Sequence, residues 1–339
     1  MSRKPITRRD FLKVASAAPL AGAFIPSVRG ATAAPEAKVR VVLVRAANAL
    51  DASGAPNAEV VQSMLDDAVC ALLDERDVVR AWEKLIRPEE VVGIKTNAWR
   101  FIPTTAEVEQ AIKRRVMDAG VAEDRIAIDD RGVLRNPVFQ NATALINARP
   151  ARTHQWSGMG SCIKNYIMFV PQPSTYHGDT CADLATIWNL PIVKGKTRLN
   201  ILVMFNPLFH MIGTQQYNKD FTWEYKGLIV SRDPVAADAT GLRILEAKRR
   251  EHFKDDGLLK PTPHHIALAD TRHHLGVSDP NRIELVKLGW GEKHAAGAIT
   301  HGNGIITSEL NDTKPRRRIR CQTCYAPSVR RRVIPRRSG

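Results

Sequence analysis

The sequence has no second Cys-x-x-C to accompany Cys321-Gln322-Thr323-Cys324, and its five cysteines are an odd number. A structural zinc site or iron–sulfur cluster takes about four ligands, so the cysteine pattern alone names no cofactor. The odd count excludes complete intramolecular pairing, and a chain this long needs no disulfide framework. Acidic residues are missing from 314–339, where Lys314 and nine arginines stand unopposed. No internal repeat or long low-complexity run interrupts residues 38–313. The apolar run from Val14 to Pro26 is broken by Pro19 and Gly22. It falls short of the roughly 20 residues that a bilayer helix needs, so no transmembrane segment is expected in the mature chain.

The formal charge of +15 resembles a nucleic-acid-binding balance until it is partitioned. Residues 1–33 contribute five of these charges and residues 314–339 contribute ten, which leaves 34–313 neutral. The body therefore carries no basic footprint, and nucleic acid is not expected as a partner. The apolar and charged fractions, 44% and 25%, are those of an ordinary globular protein with a sizeable core.

Thr7-Arg8-Arg9-Asp10-Phe11-Leu12-Lys13 has the form of a twin-arginine signal. A run of small apolar residues follows, then Ala31-Thr32-Ala33, a site suited to signal peptidase. Residues 1–33 are read as an address, with Arg8 and Arg9 as its recognition pair. The expected partner is the twin-arginine export machinery, and the expected destination is the periplasm or another extracytoplasmic space, reached after folding.

Within the body, apolar runs rich in β-branched residues predict strands at 39–44, 90–95, 125–129, 145–147, 199–204, 227–230 and 283–286. Helical spacing predicts helices at 58–73, 106–119 and 235–250, with a further helix expected over 179–189. Thr105 reads as an N-cap and Gly120 as a terminator. Alternating strands and helices predict the α/β class: one main domain, 38–313, with a mostly parallel or mixed sheet flanked by helices. Residues 314–339 read as a disordered Arg/Pro-rich tail.

Open parallel sheets gather ligands beyond the carboxyl ends of their strands, so polar residues after strands were the first candidates. Gly93-Ile94-Lys95-Thr96-Asn97 aims an ammonium and a carboxamide at that edge, and Asp129-Asp130-Arg131-Gly132 ends the next strand. The segment from Thr153-His154 to Lys164-Asn165 is the densest cluster, with Gly158 and Gly160 free to approach a ligand closely. Lys95 and Lys164 are expected to face an open cleft and to contribute little to the core. His154, His177, Cys162 and Cys181 are chemically able to hold a metal, although no pair has a standard ligand spacing. The pairs His264-His265 and His273-His274 read as surface residues.

The Gly-Ile-Lys-Thr-Asn strand end, the Thr-His…Gly-x-Gly…Ile-Lys-Asn segment and Ser231-Arg232-Asp233-Pro234-Val235-Ala236-Ala237-Asp238 together resemble the family catalogued as domain of unknown function 362. Leu275-Gly276-Val277-Ser278-Asp279-Pro280-Asn281-Arg282-Ile283 resembles its C-terminal pattern, so the likeness covers roughly 39–287. The resemblance points to Lys95, Asn97, His154, Lys164, Asn165, Asp233 and Asp238. It implies no established activity, and it implies that some relatives carry iron–sulfur modules. Two departures stand out: Arg152-Thr153-His154 replaces a Lys-x-His, and Phe205-Asn206-Pro207 stands where relatives often have an acid.

Asp233 before Pro234 also fits a plain helix cap, whereas Asp238 inside the helix has no such role and is the better functional candidate. Two functions are carried forward. One is an exported, redox-associated enzyme or cofactor protein. In it Lys95, Asn97, Lys164, Asn165 and Asp233 hold an anion, with His154 and Asp238 as catalytic candidates. The other is a non-catalytic binding or assembly protein for an exported redox complex. Metal and iron–sulfur cofactors stay open in both, as does a redox partner.

Overall fold

In the computed structural model, residues 37–211 and 217–289 are described. The signal segment with Arg8 and Arg9, the tail with Cys321 and Cys324, and positions 290–313 of the expected domain lie outside them.

The first strand, β1 (Val39–Arg45), leads through a loop to helix α1 (Ala58–Leu73), as expected. Asn57 starts that helix by accepting from the Glu59 and Val60 amides, and left-handed Asp74 ends it. A short α2 (Val78–Glu83) precedes β2 (Val92–Lys95) and α3 (Ala106–Asp118). Then come β3 (Ile126–Asp129), the single turn α4 (Pro137–Gln140), β4 (Ala144–His154) and β5 (Gly158–Gly160). The second half holds α5 (Cys162–Asn165), β6 (Thr197–Leu208), β7 (Gly227–Ser231), α6 (Pro234–Phe253), α7 (His264–Thr271) and β8 (Ile283–Gly289).

The strands form one eight-stranded mixed sheet in the order β3-β2-β4-β6-β7-β1-β8, with β5 hydrogen-bonded antiparallel to β4. Neighbours from β3 to β6 are parallel, as are β1 and β8, while β7 runs against both β6 and β1. One face of the sheet buries Val42, Ile94, Ile146 and Ile201 against α1 and α3. The other buries Leu145, Leu202 and Ile229 against the segment 162–193 and against α6 and α7. The domain is thus a mixed sheet between two helical layers, the class expected from the alternating pattern. Among the described residues, no helix is long and apolar enough to cross a membrane.

Three sequence expectations change. The strand foreseen at 145–147 runs on to His154, and the strand foreseen at 199–204 runs on to Leu208. Asn147, Arg149, Pro150 and Asn206 interrupt the apolar runs there, yet the backbone continues through them. The helix expected over 179–189 is instead two pieces of 3₁₀ turn, 179–181 and 184–189. Asp179, Thr180 and Cys181 have φ of 44°, 51° and 65°, and a right-handed helix cannot pass through left-handed residues.

Candidate functional site

The parallel strands deliver a row of polar side chains to one face, from the carboxyl end of β2 and the first halves of β4 and β6. Lys95 pairs in register with Asn147 of β4, and Asn147 with Asn200 of β6. All three are fully buried and joined in a hydrogen-bonded chain. Lys95 Nζ donates to Asp130 Oδ1 at 2.5 Å, to the Thr96 carbonyl at 2.6 Å and, at 3.4 Å, to Asn165 Oδ1. Asn165 Nδ2 donates to Asn147 Oδ1 at 2.8 Å, and Asn147 Nδ2 donates to Asn200 Oδ1 at 3.0 Å. Asp130 also accepts from the Ala98 amide at 2.8 Å. The expectation that Lys95 faces an open cleft is corrected: it is 0% exposed and ties β2, β3 and α5 together. Burial pushes its pKa down to about 8 despite Asp130 beside it.

Above this row sit three more buried cations: Arg149 at 3% exposure, Arg152 at 7% and Lys164 at 2%. Arg149 makes no hydrogen bond among the described residues, and its Nε is sealed from solvent without a partner. A methyl on Gly160 would stand 2.7 Å from Arg149 Nη2 and 3.6 Å from Arg152 Cγ. The close approach that a glycine permits on β5 is therefore to arginine, not directly to a ligand. Arg152 makes one long bond, Nη1 to the Thr153 carbonyl at 3.4 Å, and its guanidinium lies 4.1 Å over the Trp99 ring. Among the described residues, Lys164 Nζ has only Cys181 Sγ as a partner, 3.6 Å away. Burial pushes Lys164 down to about 8.

Asp238, buried at 0% exposure, accepts from Ser161 Oγ at 2.6 Å and from the amides of Cys162 and Ile163, each at 2.8 Å. It caps α5 from across the core and so fixes Lys164 and Asn165, with desolvation raising its pKa to about 6. Asp233 is the N-cap of α6, accepting from Val235 and Ala236, and it also accepts from the Val277 amide. Asn97 closes its loop through backbone bonds with Thr104, and its Oδ1 is buried without a donor.

His154, at the end of β4, accepts at Nδ1 from the Trp156 amide at 3.2 Å, which leaves Nε2–H as its donor. Desolvation first, then Arg152, Lys164 and Arg149, hold its pKa far below the usual imidazole range, so it is neutral. His177 stacks on Trp156, with 4.1 Å between ring centroids. Cys162 is buried beside Asp238, and burial holds its thiol protonated. Among the described residues, no three His, Cys, Asp or Glu side chains gather to hold a metal. His265, expected at the surface, is completely buried, and its pKa is held to about 3 by burial and then by Lys164 and Arg149.

The Arg149 charge disfavours the charged forms of Lys95, His154 and Lys164, and the Asp238 carboxylate favours the charge of Arg149. Sequence reading passed over Arg149, because the strand was ended at Asn147. Extending the two-residue alternation of β4 from Leu145 through Asn147 would have placed Arg149 on the same face. A cavity of about 150 Å³ opens at this edge between Trp99, Arg131, Arg152, His154 and Trp156.

Fold and site together define an α/β protein whose parallel-strand edge encloses buried, weakly partnered cations. Residues 130–243 match the family model described as Domain of unknown function (DUF362). The match runs from Asp130 to Arg243 and includes Arg149, Arg152, His154, Lys164, Asp233 and Asp238, while Lys95 and the stretch 275–283 lie outside it. No curated protein and no solved structure matches the chain.

Proposed function

We propose that this is an exported protein that binds a small anion at the carboxyl edge of β2, β4 and α5. The observation that carries the reading is the trio Arg149, Arg152 and Lys164, more than nine-tenths buried and without a carboxylate bound to any of them. Burying charge without a partner costs several kcal/mol per ion, and an arriving anion recovers that cost. Neutral His154 supplies a further donor through Nε2–H. Asp238 and Lys95 brace the site, because their polar atoms are already committed within the protein. Export through Arg8 and Arg9 is part of the same proposal.

The test is calorimetric titration and thermal unfolding of the mature protein with sodium sulfate against chloride at matched ionic strength. Saturable binding that raises the melting temperature, and is lost in Lys164→Met, supports the reading. Equal curves in sulfate and chloride, with no saturation in either, would overturn it.

A further inference from the structure

We propose a second binding site, on the other face of the sheet, for an uncharged planar heteroaromatic compound with an N–H beside a carbonyl on one edge. It shares no ligand-contacting residue with the anion site and stands or falls separately.

The place follows from topology. After β2 the chain turns outward to β3, and after β4 it goes the other way to β6. Parallel sheets bind ligands in the crevice where such connections part, beyond the carboxyl ends of the strands. A cavity of about 720 Å³ opens there, and small-molecule sites span roughly 300–1,000 Å³. Its floor is Pro150 of β4 with Val203 and Phe205 of β6, and one wall is the loop that follows β2. Val203 and Phe205 belong to the face that packs on α1 and α3. Arg149 alternates with Leu145 and Ala151 onto the opposite face.

The walls select a flat ring. Phe101, Tyr217 and Trp223 stand around the Phe205 floor. Phe101 and Tyr217 are already stacked, with 4.8 Å between centroids and 14° between planes. Trp99 braces both of them edge-on, at 5.0 and 6.2 Å. Four aromatic rings around one cavity favour a further ring over a saturated body, because π systems attract in offset and edge-to-face geometry.

The rim selects against an ion. Lys219 and Asp220 are consecutive and opposite in sign, and Glu224 is held by Lys226 at 2.8 Å. Among the described residues, no lining charge is therefore left to compensate a charged ligand. The polar handle is Asn206, half-buried beside the floor, whose side chain makes no hydrogen bond among the described residues. A carboxamide presents an acceptor and a donor side by side. Its complement is a donor next to an acceptor, as when asparagine reads the edge of a base.

The experiment titrates the mature protein by calorimetry with quinolin-2-one, its N-methyl derivative, decahydroquinolin-2-one, quinoline-2-carboxylate and N-methylquinolinium. Quinolin-2-one should bind saturably, and about tenfold or more tightly than each of the others. An equal affinity for the decahydro compound would overturn selection of a flat ring. Equal affinity for either charged probe would overturn selection against ions, and equal affinity for the N-methyl derivative would remove the N–H contact. Asn206→Leu should keep the circular dichroism of the parent and no longer distinguish quinolin-2-one from its N-methyl derivative. The N-methyl probe tests the same contact without any substitution. Tyr217→Ala should weaken quinolin-2-one about tenfold. Unchanged binding in both variants, or no saturable binding by any of the probes, would overturn the site.

Discussion

Asp238 on α6 and Ser161 before α5 meet across the core at 2.6 Å, and the same carboxylate takes the next two backbone amides. One side chain thereby fixes the entry of the short helix that presents Lys164. Asp238→Ala leaves three buried donors without an acceptor and should cost about 3–5 kcal/mol in denaturant unfolding. Asp238→Asn, which keeps one acceptor oxygen, should cost visibly less. Equal stability of the alanine variant and the parent would refute the bracing role.

The same carboxylate should leave a mark on the pH dependence of stability. Its folded pKa is raised to about 6, against an ordinary value of 3.8, mainly by desolvation. Between these values the folded state holds the extra proton, so this group's stabilising contribution is complete below about pH 4 and is lost as pH rises through 6. Unfolding free energies from pH 4 to 7 should show that decline, and Asp238→Asn should flatten it.

Lys95 and Asp130 should behave as a single unit. Removing the ammonium alone, in Lys95→Met, leaves Asp130 charged and buried and should cost about 3–5 kcal/mol. The double variant Lys95→Met/Asp130→Leu should recover part of that loss. Additive losses in a double-mutant cycle would contradict the coupling.

Sulfate keeps its charge throughout the neutral and alkaline range, so it isolates the protein's own titration. Lys95 and Lys164 have folded pKa values of about 8, lowered by burial from an ordinary 10.5. Sulfate affinity should be level below about pH 8 and weaken as pH rises above it. Without sulfate, the sign is opposite: the unfolded state binds more protons between 8 and 10.5, so these two groups make stability rise with pH. Sulfate affinity that stays unchanged at pH 10 would remove Lys164 from the site.

Export should depend on guanidinium geometry. Replacing both Arg8 and Arg9 with lysine keeps the charge and should strand the precursor in the cytoplasm. Fractionation with immunodetection measures this, and normal periplasmic accumulation of the double variant would end the proposal.

Local pattern determined much of this protein. The β-branched run of β1, the apolar spacing of α1, and Asp233-Pro234 at the start of α6 were legible, because each is set by neighbours a few residues away. So was the class of fold, which follows from alternating strands and helices. The likeness of residues 130–243 to the family model was legible too, from the Thr153–Asn165 and Ser231–Asp238 motifs. What the sequence withheld was the meaning of buried polarity. Asn147, Arg149 and Arg152 look like the end of a strand, because a strand that buries charge has no apolar signature to follow. His265 looks like a surface histidine until α7 is packed against the sheet. Asp238 had no local partner to reveal its role, since the amides it caps lie about 75 positions away. Only the tertiary structure decided these points: hydrogen bonds and charge compensation act through space, and the sheet brings together residues that the chain keeps far apart.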